Sequence, residues 1–366
     1  MSLDSAPANW GDSAPTSTPY AKGTPTGVLD DVVVLPFNNI ELTERLLREQ
    51  AGQLAAVLVD PMPNRAGLVP ATAEYMACLA RVAKETGTLL IFDEVISLRL
   101  GYHGAQGIWG VKPDLTTMGK IIGGGYPIGA VGGREEVMAV FDPSSGKPAL
   151  PHGGTFSANP ISMRAGIASL RLLDKPAFER LEAIGNRVRQ GIDAAFERLG
   201  IPGRTTGRGS LLKVHFTNNA VVDYRSAYQN ADTAKLLATF NLGLLNRGVL
   251  AASYGLMALS TSMSDADIDQ VIAAAKVPCT TSHRAWKRPK QFERYFQDES
   301  THQQQPVLVG GSATRQGRWR AVAELQRRGD RGRRHHGHVR SHPSPPSRTQ
   351  RDHRRRRRDR QRCQHS

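Results

Sequence analysis

Residues 89–133 read LLIFDEVISLRLGYHGAQGIWGVKPDLTTMGKIIGGGYPIGAVGG. An apolar run ends at Asp93 and a glycine-punctuated stretch follows. Lys120 then stands between Gly119 and the apolar pair Ile121 and Ile122, ahead of three glycines. The pattern is that of a buried strand with an acid at its carboxyl end, followed by an amine on backbone free to turn sharply. Ligands of open α/β sheets lie beyond the carboxyl ends of the strands, so the acid and the amine are placed to share one crevice.

A lysine amine and a carboxylate converging on one ligand suit pyridoxal phosphate (PLP). The amine condenses with the aldehyde, and the carboxylate keeps the pyridine nitrogen protonated so that the ring draws in electrons. Each part alone has a plainer reading: Asp-Glu after a strand also fits a helix cap or a magnesium ligand, and Gly-Lys a surface turn. Two nucleotide motifs are excluded. A P-loop ending at Lys120 calls for glycine at 114 and Ser or Thr at 121, where Asp114 and Ile121 stand; a dinucleotide fingerprint through Gly123 and Gly125 calls for Gly or Ala at 128, which is Ile128.

The blocks LLIFDEV, PDLTTMGK, GGGYPIGAVGG and HGGTFSANP, the last from His152 to Pro160, together resemble class III aminotransferases. The closest branch is the glutamate-1-semialdehyde aminomutases, and the similarity runs from about Gly27 to about Ala275. The resemblance implies an α/β chain of the fold-type I PLP-dependent transferases, with a partial large domain on a mostly parallel sheet, a small C-terminal α+β domain and a homodimer-interface active site. It implies PLP as cofactor, Asp93 on the pyridine nitrogen, Val95 on the ring face and Lys120 as the Schiff-base lysine. Thr155 would reach the cofactor phosphate of the neighbouring subunit. The released Lys120 amine would act as base and then acid in a 1,3-proton shift.

The resemblance also marks departures. The family's Ser/Thr-Gly phosphate loop and its ring-stacking aromatic have no counterpart in residues 1–26, so an N-terminally truncated large domain with an exposed sheet edge is expected. Where the aminomutases have Phe-Glu-Ala-Gly-Phe, this chain has Tyr254, Gly255, Leu256, Met257 and Ala258, without the acid. DEVITGFR reads DEVISLR here, with Leu98 for the phenylalanine and Arg99 keeping the arginine. Amino transfer from an amino acid or amino aldehyde therefore fits at least as well as aminomutation. The alternatives are a catalytically inactive remnant of the family, or a polyanion binder acting through the arginine-rich tail.

Domain expectations follow from composition. The 366 residues allow a loose lead-in over 1–28, a partial large domain over 29–175, a small domain over 176–278 and a basic tail over 279–366. Residues 281–366 carry 23 Lys plus Arg against 7 Asp plus Glu, and the rest carries 25 against 26, so the formal +15 belongs to the tail. With 21 Arg, 2 Lys and no apolar period, the tail reads as disordered. Clustered arginine suits nucleic acid, but so little lysine beyond the small domain points rather to read-through or frame-shifted translation. Cys78, Cys279 and Cys363 are sparse and form no metal or redox pattern, which suits the reducing cytoplasm. Neither a signal peptide nor a membrane span is read.

The remaining elements are placed by periodicity. Expected are a strand in LDDVVVLPFNN from Leu29, a helix over 41–53, a buried strand over 55–60, a helix capped by Thr72 that stops near Gly87, and strands around 115–118 and 128–131. A helix over 160–173 follows. In the small domain come a helix over 177–199, a turn-rich link over 200–209, a half-buried alternating strand SLLKVHF and a helix carrying Leu236, Leu237, Phe240 and Leu244. A strand pair, VLAAS and LMALS, and a last helix capped by Ser264 complete it. His215 reads as a packed or edge histidine.

Overall fold

A computed structural model describes residues 15, 17–19 and 21–287, with side-chain burial given as far as 276. The arginine-rich tail beyond 287, Cys279, Cys363 and most of the lead-in lie outside the residues so described.

The first sheet is built by alternating strands and helices. Helices α1 (Thr26–Asp30) and α2 (Ile40–Glu49) precede β1 (Ala56–Val59), and α3 (Ala73–Thr86) returns the chain to β2 (Leu89–Asp93). Helix α4 (Gly104–Trp109) leads to β3 (Leu115–Gly119), and a one-turn 3-10 helix, Lys120–Gly123, to β4 (Gly129–Gly133). The order is β1-β2-β3-β4, with the first two pairings parallel and β3-β4 antiparallel. The sheet is thus mostly parallel, and the carboxyl ends of its parallel strands carry Asp60, Asp93 and Lys120.

Local chemistry explains these boundaries. The Thr72 hydroxyl accepts the Tyr75 N–H at 3.1 Å, opening α3, and Gly87 at φ 71 closes it in the left-handed region that glycine enters without strain. Between these ends Tyr75, Met76, Leu79 and Val82 bury one face against Val57, Val59, Leu90 and Phe92. Each such side chain contributes about 1.5–3 kcal/mol by leaving water. Asp114 ties the sheet's other end: one oxygen accepts the Leu90 N–H at 2.7 Å and the other pairs with Arg134 at 2.5 Å.

The strand expected in LDDVVVLPFNN does not form. No strand of the first sheet pairs with it, and without a neighbour an extended run completes no ladder. Its Leu35 and Phe37 instead pack on the α3 core, Phe37 edge-on to Tyr75 at 5.5 Å. β1 and β4 end this sheet among the described residues; β4 is largely exposed, and Leu58 in β1 is 50 % exposed.

Helices α5 (Glu135–Met138), α6 (Pro160–Arg171) and α7 (Lys175–Leu199) lead to a second, antiparallel sheet. It contains β5 (Arg204–Thr206), β6 (Leu211–His215) and β7 (Leu256–Ala258) in that order, with α8 (Ala231–Leu245) and α9 (Asp265–Lys287). Its core centres on Phe196, Phe216 and Phe240, whose ring centroids lie 5.5, 6.4 and 6.0 Å apart.

Four expectations here are corrected. β5 lies within the stretch read as a turn-rich link, because three intermediate-burial residues carry no periodicity. β6 is buried at all five residues rather than alternately: Leu212 and Val214 enter the second core, while Lys213 and His215 on the other face bond to the loop after β1. VLAAS forms no strand. Its Leu250 is 85 % exposed, and Ala252 and Leu256 close a tight turn at 3.0 Å. Finally, α9 continues through Pro278 to Lys287, past the boundary read for the tail.

Candidate functional site

Asp93 closes β2 opposite Thr117 of β3. Its Oδ1 accepts the Val95 N–H at 3.0 Å and the Thr117 hydroxyl at 3.4 Å, which aims the carboxyl along the strand ends. Its neighbour Glu94 is fully buried and turned elsewhere. That carboxylate accepts the Ala105 N–H at 2.6 Å and the Gln106 N–H at 3.0 Å, fastening the start of α4 under the site. Burial pushes Glu94 up, against those hydrogen bonds.

Lys120 follows β3 on the adjacent strand end and is exposed. Its φ is 47, the left-handed region that an L side chain enters only at a cost. The turn is over-determined by its surroundings. Gly119 pairs with Gly129 across the sheet, and a Cβ on Gly124 or Gly166 would collide with the backbone of α6 or of Ile122. The Ser162 hydroxyl of α6 donates to Pro127 O at 2.8 Å. Val95 lies against Gly119, where a Cβ would meet its Cγ1 at 3.4 Å, so the valine sits beside the lysine turn.

A residue that the sequence reading passed over joins them. Asp60, at the carboxyl end of β1, is half-buried and accepts the Met62 N–H at 3.0 Å. Burial first, then the fields of Asp93 and Glu94, push it up to about 7, while Lys120 acts in the opposite direction. Its signal was in plain view: AAVLVD repeats the pattern of LLIFD, an apolar run ended by an acid.

Thr155 is brought to none of these groups. It lies exposed in a turn, with no hydrogen bond to Asp93 or Lys120 among the described residues. Arg99 links the loop after Asp93 to the second sheet, donating to the Ser210 hydroxyl at 3.1 Å and to Leu259 O at 2.6 Å. A concavity of about 480 Å³ lies elsewhere, lined by Phe216, Asp223, Arg225 and Tyr228, with neither Asp93 nor Lys120 in its wall. Among the described residues no group of His, Cys, Asp and Glu is placed to hold a metal.

The donor set fits PLP in three respects: an amine on a fixed turn, a carboxyl held by neighbouring donors on the next strand, and an apolar side chain beside the amine. Comparison with known proteins agrees. The profile of the aminotransferase class III family matches residues 19–276. The chain belongs to the class III aminotransferases. Among its relatives is a glutamate-1-semialdehyde 2,1-aminomutase of Methanosphaera stadtmanae, 37% identical over 275 residues, covering 74% of this chain and 64% of that protein. That of Bacillus subtilis is 34% identical, covering 70% and 60%.

Among solved structures, an omega-transaminase from Sphaerobacter thermophilus shares 44% identity at a TM-score of 0.72, covering 74% of this chain and 62% of the other. A transaminase with PLP bound shares 39% identity at a TM-score of 0.68, covering 75% and 63%. The chain therefore has the fold-type I architecture of this class III family, and spans 60–64% of the length of these relatives.

Proposed function

We propose that this chain carries the Lys120 and Asp93 half of a PLP-dependent aminotransferase site and acts on a small amino substrate, an amino acid or an amino aldehyde. The observation that carries the reading is Asp93 and Lys120 on the ends of neighbouring strands, with Lys120 on a left-handed turn braced by α6. Bound there, PLP supplies an aldehyde for amine exchange and a ring that takes up electrons. Asp93 would hold a proton at the ring nitrogen, and Val95, beside Gly119, would offer the ring an apolar contact. Lys120 Nζ would serve as the proton carrier at the substrate carbon, first as base and then as acid.

Transfer is favoured over aminomutation because Tyr254–Ala258, where the aminomutases carry an acidic residue, has none. We assign residues 29–175 to a partial large domain and 176–278, with the rest of α9 to Lys287, to a small one. A homodimer is proposed, with Thr155 serving the partner's site. In support, Phe156 next to Thr155 is 78 % exposed, and α6 and its C-cap expose Ile161 at 60 % and Leu172 at 73 %. No helix of the described residues is long and apolar enough to cross a membrane, and a cytoplasmic location is proposed from the sparse cysteines. The exposure of Lys120 favours the second reading, an inactive remnant.

A spectrum decides between them. The purified chain with added PLP is expected to gain a visible absorbance band that borohydride abolishes and that Lys120→Ala lacks. No such band in folded protein would overturn the enzyme reading.

A further inference from the structure

One face of β6 meets one loop of the first sheet. Alternate residues of a strand share a face, and on β6 these are Leu211, Lys213 and His215. Leu211 shares a buried cluster with Met62, Leu68 and Leu100. Lys213 Nζ donates to Asn64 O at 2.8 Å, and His215 Nε2 lies 3.0 Å from Gly67 O. A carbonyl only accepts, so Nε2 carries the hydrogen. The Thr206 hydroxyl of β5 donates to the same carbonyl at 2.5 Å.

The loop so held is strained. Gly67 at φ 94 and Leu68 at φ 56 stand together in the left-handed region, and Leu68 is fully buried there. A leucine stays in that region only where its surroundings impose it. The segment between β6 and α8 presses on the same turn: a Cβ on Gly67 would meet Ala227 Cβ at 2.8 Å and Val221 Cγ1 at 2.9 Å. The loop's other end is Asp60, whose Oδ1 accepts the Met62 N–H. β1 and β2 run parallel with Val59 level with Phe92, so Asp60 stands beside Asp93 and the loop leaves the sheet at the edge of the crevice.

We propose that Lys213, His215 and Thr206 are positioning residues: from the second sheet they impose the shape of the loop over 60–68, and so set how tightly the crevice beside Asp93 holds a ligand. The inference rests on the reading of Asp93 and Lys120 as the cofactor's acid and amine. The three side chains act through the loop and not on a reacting atom. Lys213 and His215 are buried at 9 % and 2 % exposure, where apolar side chains would cost less, and each turns its polar atom onto a loop carbonyl.

Hydrogen exchange on the intact chain, without cofactor, tests this. The loop is read at the Met62 N–H, at the Leu68 N–H on Pro63 O, 3.0 Å, and at the Ala71 N–H on Pro61 O, 2.8 Å. The Leu259 N–H, on Ser210 O at 2.9 Å, reads the second sheet itself. Lys213→Met and His215→Phe are expected to speed the loop amides roughly tenfold and leave Leu259 unchanged. His215→Gln, which still donates, is expected to restore the parent rates. Thr206→Val keeps the side chain's shape and is read instead if His215→Phe does not fold. With added PLP, Lys213→Met is expected to weaken severalfold the binding measured from the borohydride-sensitive band. Loop exchange at the parent rate overturns the proposal, as does equal acceleration at Leu259, or a released loop with unchanged PLP binding. No band in the parent sinks the cofactor reading alone, and the exchange rates then decide whether the second sheet holds the loop.

Discussion

At the scale of single residues, the site combines strain with buried charge. Lys120 at φ 47 holds a backbone that costs an L-residue roughly 1–2 kcal/mol and glycine almost nothing. Lys120→Gly is therefore expected to be more stable than Lys120→Ala by about 1 kcal/mol, read by urea denaturation, although both lose the amine. The lysine is retained where a glycine would fold better, and that agrees with a chemical rather than a structural role. Glu94 shows the opposite case. Glu94→Ala leaves the Ala105 and Gln106 N–H groups without their acceptor in a buried place and should cost about 2–4 kcal/mol in the same measurement. The sequence could show that an acid follows Asp93, but only the contacts show that this acid fastens α4.

At the scale of elements, the lysine turn depends on α6. The Asn159 side chain caps that helix, accepting the Ile161 and Ser162 N–H groups at 3.0 and 3.3 Å, while Ser162 reaches back to Pro127. Asn159→Ala is expected to cost about 1 kcal/mol. It should also speed hydrogen exchange of the Gly124 and Tyr126 amides, which bond to Ile121 and Gly123 at 3.2 and 3.1 Å. Unchanged exchange there would mean that the turn stands without the helix. β6 is the other linking element: Lys213 Nζ donates to Asn64 O at 2.8 Å, and His215 Nε2 lies 3.0 Å from Gly67 O. These bonds fix the loop that follows Asp60 to the second sheet.

Across the described molecule, the buried His215 and the half-buried Asp60 tilt stability in opposite directions with pH. Burial, with Lys213 nearby, lowers His215 from 6.5 to about 4. Between those values the unfolded chain binds the extra proton, so stability rises with pH and is lost on acidification, by roughly 3 kcal/mol in all. Asp60 is raised from 3.8 to about 7, so there the folded chain binds the extra proton and stability falls as pH rises, by roughly 4 kcal/mol. The two slopes largely offset one another between about pH 4 and 6.5. His215→Gln should leave a stability that declines with pH in that range, and Asp60→Asn one that climbs. Thermal or urea unfolding at several pH values reads both, and parallel profiles for the parent and the two variants would refute the assignment.

What the sequence determined by itself is what local order carries. The apolar runs ending in acids, the Thr72 and Ser264 caps and the helix periods of α3, α7 and α8 are written in adjacent residues, and the joint blocks around Asp93 and Lys120 identify the class III family. Tertiary structure alone decided the rest. A strand exists only where a neighbour completes its ladder, so β5 formed in a stretch read as link while LDDVVVLPFNN and VLAAS did not. Burial on two faces depends on what packs from outside, which placed Lys213 and His215 of β6 against a loop some 150 residues earlier. Asp60 and Asp93 are separated by a whole helix in the chain, and only the parallel pairing of β1 with β2 makes them one electrostatic unit.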